Sequence, residues 1–449
     1  MRRGWLIIGF TVAILSVDSP TLAETGDAER GRLAILTRSF NPTIWSGRAY
    51  DNVWRVWGLS EKPNDYLDAF RERYGLPPAP FPNDGYPMGL RSSGGLLGKG
   101  ISTDCLVCHG GSIAGQSYIG LPNSSLDMQA LYEELAQADG RSRQTPFTFS
   151  NVRGTTEAGA MAVFLYQLRQ PDLNLRITRQ NLGLRDDLCE DPPAWWLLKK
   201  KATMYHTGSN DSQSVRSIMQ FMLSPLNPPT AIKKEESTFR DIQAFILSLE
   251  PPKYPFPIDS ELARKGERVF RSTCSRCHGT YGKDWTYPNK IVPIDIIGTD
   301  RNRYEGFKPE SGRFYNQSWF AHEKSGWLGD EFPVMKTAGY QAPPLDGIWA
   351  TAPYLHNGSV PTVYHLLNSK TRPRIFTRSF RTNTEDYDPT KLGWKVEVLN
   401  EGSGLTLTPN ERRKNYDTTK PGRGNGGHTF GDDLSEEERM AVIEYLKTL

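Results

Sequence analysis

The sequence predicts a mainly α-helical protein of two units, joined by a short connector and wrapped in long irregular loops. Three observations predict it. Apolar residues recur at helical spacing in several stretches, whereas no run alternates apolar and polar residues like a half-buried strand. Four prolines between Pro251 and Pro257 interrupt the chain near its middle, and proline, with its fixed φ and missing N–H, favours an extended connector. On either side of that connector one arrangement of residues is repeated: Cys105-Leu-Val-Cys108-His109 before it and Cys274-Ser-Arg-Cys277-His278 after it.

The repeated motif supplies the chemistry. Two thiols separated by two residues lie on one turn, where each can form a thioether to a haem vinyl group, and the next residue presents an imidazole to the iron. The spacing therefore predicts two covalently bound haem c groups. Cys105, Cys108, Cys274 and Cys277 tether them, His109 and His278 are the proximal ligands, and each unit becomes a haem domain of the cytochrome c type. A zinc site built from two Cys-x-x-Cys pairs is the alternative, but such pairs normally lie much closer together and are not each followed directly by histidine. With 41 glycines, 32 prolines and 37% hydrophobic residues in 449, the chain is rich in loops, and a haem can fill part of its core. The fifth cysteine, Cys189, sits among Asp187, Glu190 and Asp191. That setting is the reverse of the electropositive one that activates a thiol, so an inert, buried residue is expected.

Taken in order, residues 1–23 read as a signal peptide: Arg2 and Arg3, an apolar run from Trp5 to Leu15, then Thr21-Leu22-Ala23 for cleavage. The apolar run is too short to favour a membrane span, and no later segment approaches about 20 apolar residues. A soluble periplasmic or secreted protein follows. The first haem domain, 24–250, has loops over 81–100 and helical patterns over 127–138, 159–168 and 215–223. It closes with a helix carrying Phe239, Ile242, Phe245, Ile246 and Leu249. Residues 251–258 are the linker. In the second domain, 259–449, Asp259 or Ser260 caps a helix bearing Leu262, Gly266, Val269 and Phe270. The closing helix, with Val442, Ile443, Leu446 and Leu449, follows the capping-box pattern at Ser435-Glu436-Glu437-Glu438. The opening helix is expected to cross the closing one where glycine allows close approach. Residues 370–427, rich in charge, Thr and Gly, read as an irregular insertion over the haem surface. A formal charge of +3 lacks the basic excess of a nucleic-acid binder, and Lys199-Lys200-Lys201 reads as solvated surface.

Five stretches carry a family resemblance: Asn83-Asp84-Gly85-Tyr86-Pro87-Met88-Gly89-Leu90, Gly120-Leu121-Pro122-Asn123-Ser124, Pro192-Pro193-Ala194-Trp195-Trp196, the block from Ala352 to Thr362 that contains Pro353-Tyr354-Leu355-His356-Asn357-Gly358-Ser359, and Gly427-His428-Thr429-Phe430-Gly431. With the haem motifs, they make the chain resemble bacterial di-haem cytochromes c related to the rubber oxygenases and, more distantly, the di-haem cytochrome c peroxidases. In both related enzyme groups the amino-terminal haem is the reactive one. In the rubber oxygenases a tryptophan lies close to it. The resemblance thus implies Trp195 or Trp196 in a catalytic or electron-relay place; a packing wall against the haem is the alternative.

The sixth ligands are read from position. For the second haem, His428 is favoured because it stands in a glycine-rich loop ahead of the closing helix; His356 and Met335 are the alternatives, while His322 is a further candidate and His365 reads as structural. For the first haem the candidates are His206, Met161, Met204, Met219 and Met222, and an open iron is the other outcome. A peroxidase needs a distal acid–base group, for which Glu133, Glu134 and Glu157 qualify by location alone. Two functions stay open. One is a di-haem oxidoreductase in which electrons pass from the C-terminal haem to an N-terminal haem that meets oxygen, peroxide or a small organic substrate. The other is an electron carrier with a redox partner protein and no catalytic site.

Overall fold

Short polar side chains close the first turns of four of the six principal helices. The computed structural model describes residues 26–94, 99–323, 330–400 and 407–449; the leader expected at 1–23 lies outside them. Helix α1 (Ala28–Thr37) starts at Asp27, whose carboxylate accepts from the Arg30 N–H, and α2 (Met128–Ala138) starts at Asp127, which accepts from Ala130 in the same way. α3 (Ala158–Gln167) and α4 (Glu236–Ser248) follow without side-chain caps. α5 (Ser260–Thr273) is capped by Asp259 and α6 (Glu436–Leu446) by a reciprocal Ser435/Glu438 box. Residues 249–259 form neither helix nor strand, and the pattern at 215–223 folds as a 3-10 run, Arg216–Met222.

Two helix crossings frame the molecule, α1 on α4 and α5 on α6, and each is built around a glycine. A methyl group at Gly266 would stand 1.8 Å from the Ala441 carbonyl oxygen of α6. One at Gly31 would stand 2.0 Å from the Asp241 oxygen of α4. Backbones this close leave no room for a side chain.

The expected fold class, mainly α with two cytochrome c-type haem domains, does not hold. Helix accounts for 38% and strand for 13% of the chain, and the strands form seven small sheets among the described residues. β1 (Trp45–Ser46), β2 (Leu90–Ser93) and β3 (Gly100–Thr103) make an antiparallel sheet with β3 in the centre, just ahead of the first haem motif; β4 (Gly110–Ile113) and β5 (Gln116–Ile119) form a hairpin just after it. β6 (Ile291–Pro293) pairs with β7 (Gly339–Gln341), and β8 (Ile375–Thr377) lies between β9 (Glu397–Val398) and β10 (Tyr416–Asp417). The sequence hid these ladders for two reasons. Strands of two to four residues are too short to display a period of two, and β3 is buried at all four positions. The two motif-bearing regions therefore differ in construction: the first motif turn sits between β-structures, the second continues a long helix.

The apolar core has three main parts. One packs Phe239, Ile242 and Phe245 of α4 against Leu106, Phe314 and Phe320; a second gathers Trp45, Phe70, Ile101 and Leu131; the third joins Trp196 to Phe270, Trp349, Trp394 and Val442. The charged stretch 370–427 fastens itself to the N-terminal region. Arg413 reaches Asp127 at 2.9 Å with both side chains nearly buried, Asn410 donates to Glu134, and Arg378 donates to the Ser124 carbonyl. No helix among the described residues is long and apolar enough to cross a membrane.

Candidate haem site

Both Cys-x-x-Cys-His motifs open onto one internal cavity of about 600 Å³. Each forms a single helical turn, Leu106–His109 and Ser275–His278, which brings both thiols and the imidazole of the motif to the cavity wall. All four cysteines are free and line it. Burial pushes the thiols of Cys105 and Cys108 up to about 12 and that of Cys274 up to about 11. Among the described residues no three His, Cys, Asp or Glu side chains converge to hold a metal ion, so the two pairs do not share a tetrahedral zinc site.

The two motif histidines are oriented alike. His109 donates from Nδ1 to the Pro193 carbonyl (3.1 Å) and His278 donates from Nδ1 to the Pro343 carbonyl (2.8 Å). A carbonyl can only accept, so the proton sits on Nδ1 and Nε2 carries the lone pair. Each acceptor belongs to a Pro-Pro pair, Pro192-Pro193 or Pro343-Pro344. Burial holds His109 down at about 4 and lowers His278 as well, keeping both neutral, the form that ligates iron.

The ring beside each imidazole differs. His278 faces His428, ring centroids 6.2 Å apart and planes inclined by 59°. With metal–imidazole bonds near 2 Å on each side, about 1 Å remains from each nitrogen to its ring centre, so the gap fits one metal ion between two imidazoles. His428 lies in the left-handed backbone region at φ 46°, its N–H is held by the Ile297 carbonyl at 2.7 Å, and its Nδ1 is buried without a partner. His109 instead stacks on the indole of Trp195, centroids 5.0 Å apart and planes inclined by 26°. These residues fit two haem c groups: paired thiols, neutral imidazoles with free Nε2 atoms, and a common cavity.

The remaining candidates fall on both sides of the cavity wall. Met161, Met204 and His206 line it, while Met219 and Met222 are buried outside it. Met335 is 67% exposed and off the cavity. His356 lines the cavity; it stacks on Tyr340 at 4.1 Å and stands 6.2 Å from His206, whose Nε2 donates to the Asp191 carbonyl. Trp195 lines the cavity, whereas Trp196 is 1% exposed and donates its indole N–H to the Asp346 carbonyl at 2.8 Å. His365 bonds to Thr362, and His322 lies half-exposed beside Glu331. Glu133, Glu134 and Glu157 are off the cavity and engaged elsewhere: Glu133 with Arg143, Glu134 with Arg73, and Glu157 with the N–H groups of Leu188 and Cys189. Cys189 is fully buried beside Thr155.

Sequence reasoning missed the Pro193 and Pro343 carbonyls, and the polar wall made by Glu190, Asp191, Lys201, Arg303 and Tyr340. The repeated Pro-Pro pairs were the available signal for the first. Nothing marked the second.

Residues 339–377 match the family described as RoxA-like, cytochrome c-like. The match spans β7, Pro343 and His356 and contains neither Cys-x-x-Cys-His motif. Two uncharacterized proteins of Sinorhizobium fredii (strain NBRC 101917 / NGR234) are similar to the chain. y4iJ is 30% identical over 262 residues, covering 45% of this chain and 41% of that protein; y4iM is 31% identical over 242 residues, covering 45% and 52%. The chain spans about half the length of the curated relatives it matches. It carries a cytochrome c-like segment of the RoxA-like kind, a type of domain that holds haem c.

Proposed function

We propose that the protein is an exported di-haem oxidoreductase in which electrons pass from a closed site at His278 and His428 to an open site at His109. One observation carries this reading: the ring beside His278 is a second imidazole, His428, which can supply a further ligand, whereas the ring stacked on the face of His109 is an indole, which cannot. Haem c, when bound, supplies an iron that takes up or releases one electron and, where an axial position is open, binds dioxygen or peroxide.

The chain's own residues do the rest. Cys105, Cys108, Cys274 and Cys277 tether the groups, and the Pro193 and Pro343 carbonyls keep Nε2 of each proximal imidazole free for iron. Trp195 walls the first site, and Met161, Ala162, Val163 and Ile218 give its surroundings an apolar lining that excludes water. Electrons enter at the second motif, where Arg276 is exposed and Ser275 half-buried; in the first motif Leu106 and Val107 are buried. The substrate is dioxygen, peroxide or a small organic molecule, and a redox partner protein delivers the electrons.

A second reading, an electron carrier without a catalytic site, is favoured by one observation: His206 lines the same cavity and would close the first site by binding there. Intact mass and absorption spectra separate the possibilities. The mass is expected to exceed that of the polypeptide by two haems, Cys105→Ala and Cys274→Ala each removing one. Carbon monoxide or cyanide is expected to change the spectrum of one haem only. A polypeptide without covalent haem overturns the di-haem reading, and two haems that ignore every added ligand in both redox states replace the oxidoreductase by the carrier.

A further inference from the structure

The cavity wall carries two cations, Lys201 and Arg303, and only one of them has a carboxylate partner. Lys201 lines the cavity directly after the 3-10 turn Trp195–Lys200, and its ammonium has no ion pair or hydrogen bond among the described residues. Burial alone bears on it and lowers it to about 8. Arg303, 13% exposed and also on the wall, pairs with Glu190 through Nε, while the terminal nitrogens of its fork have no acceptor. Lys201 and Arg303 both act electrostatically on His206, which stands between them in charge terms. Neutral groups on this wall are also left unpaired: Nε2 of His356 and Oε1 of Gln341 are buried without partners. Asp191 lines the same cavity; its Oδ1 is buried without a partner, and burial raises its carboxyl well above the usual carboxylate range.

A half-buried cation on a cavity wall without a counter-ion is unfavourable, and an arginine fork with free terminal nitrogens suits a carboxylate. We infer that Lys201 and Arg303 receive haem propionates, the carboxylates that enter this cavity together with a covalently attached haem. This rests on the di-haem reading above. A free carboxylate anion is the other source of the same chemistry.

The test uses the full-length holoprotein, with intact mass, a spectroelectrochemical titration and the propionate bending bands of the resonance Raman spectrum recorded on each sample. Lys201→Met is expected to keep two haem masses, shift the propionate band of one haem and lower its midpoint potential, because losing a nearby positive charge favours the oxidised form. The expected size is about a tenfold change in the oxidised-to-reduced ratio at fixed potential, which is 59 mV for one electron. Lys201→Arg is expected to restore both readouts. Arg303→Lys, which keeps the charge beside Glu190, gives a second reading through the band alone should Lys201→Met fold poorly. Two haem masses with unchanged bands and potentials in these variants overturn the propionate assignment while leaving the di-haem reading intact. So does a wild-type spectrum that shifts on adding acetate, if Lys201→Met abolishes the shift, because the cavity wall then holds a free anion. A wild-type protein without covalent haem overturns both.

Discussion

Trp196 donates its indole N–H to the carbonyl of Asp346, and this bond joins the two stretches of chain that orient His109 and His278. Pro193 lies three residues before Trp196, and Pro343 three before Asp346. Lys200 reinforces the junction by pairing with the Asp346 carboxylate at 2.7 Å, and the hydroxyl of Tyr281 both accepts from the Leu345 N–H and donates to the His278 carbonyl. The segments that orient the two motif histidines are therefore one hydrogen-bonded unit.

Trp196→Phe leaves the Asp346 carbonyl unsatisfied and is expected to destabilise the protein by about 1–3 kcal/mol, measured by chemical unfolding. It should also alter the electron paramagnetic resonance of both haems, since both proximal acceptors lose a common brace. Trp195→Phe, which of the two motif imidazoles touches only that of His109, should alter one. Equal effects of the two substitutions on both haems would contradict this division.

His428→Ala should turn one haem from low to high spin, with added imidazole restoring the low-spin spectrum. His356→Ala and Met335→Ala should leave that haem low-spin, because His356 stacks on Tyr340 and Met335 is exposed. A low-spin His428→Ala protein moves the sixth ligand elsewhere.

Gly266→Ala places a methyl group against the Ala441 carbonyl, a backbone atom that cannot swing aside. The loss is expected to reach at least the roughly 1–3 kcal/mol of ordinary overpacking, and thermal unfolding followed in the haem band measures it.

Glu134, buried at 2% exposure, pairs with Arg73 and accepts from Tyr74 and Asn410. Burial pushes its carboxyl up, but these donors outweigh burial and hold it below its ordinary 4.5. A carboxylate depressed in the folded state lends its stability fully above its unfolded pKa, and that stability is lost as pH falls through the folded value. Glu134→Gln is therefore expected to lower stability by about 1.5–3 kcal/mol near neutral pH. The difference from wild type should shrink below pH 4.5, as denaturation curves at several pH values will show.

The sequence was informative where the chemistry is local. The motif turns at Cys105 and Cys274, the capped helices α2, α5 and α6, and the Gly266 crossing could all be read, because thioether spacing, capping and helical period act within a few residues. The ladders could not: β4 and β5 owe their pairing to the turn at Ala114-Gly115, not to an alternating pattern. Nor could the partners of His109 and His278, since a carbonyl of Pro193 or Pro343 has no side-chain signature. Arg303, within Arg301-Asn302-Arg303, looks like solvated surface until the fold turns it toward the cavity.

The inward-facing first motif has a consequence for how the protein is made. With Leu106 and Val107 sealed between Cys105 and Cys108, the thiols are presented to the interior, so the agent that forms the thioethers must act on an open chain. Loading precedes closure on the di-haem reading. Once formed, those bonds survive unfolding, and refolding becomes a first-order process whose midpoint is independent of free haem, unlike that of a protein stabilised by a dissociable ligand.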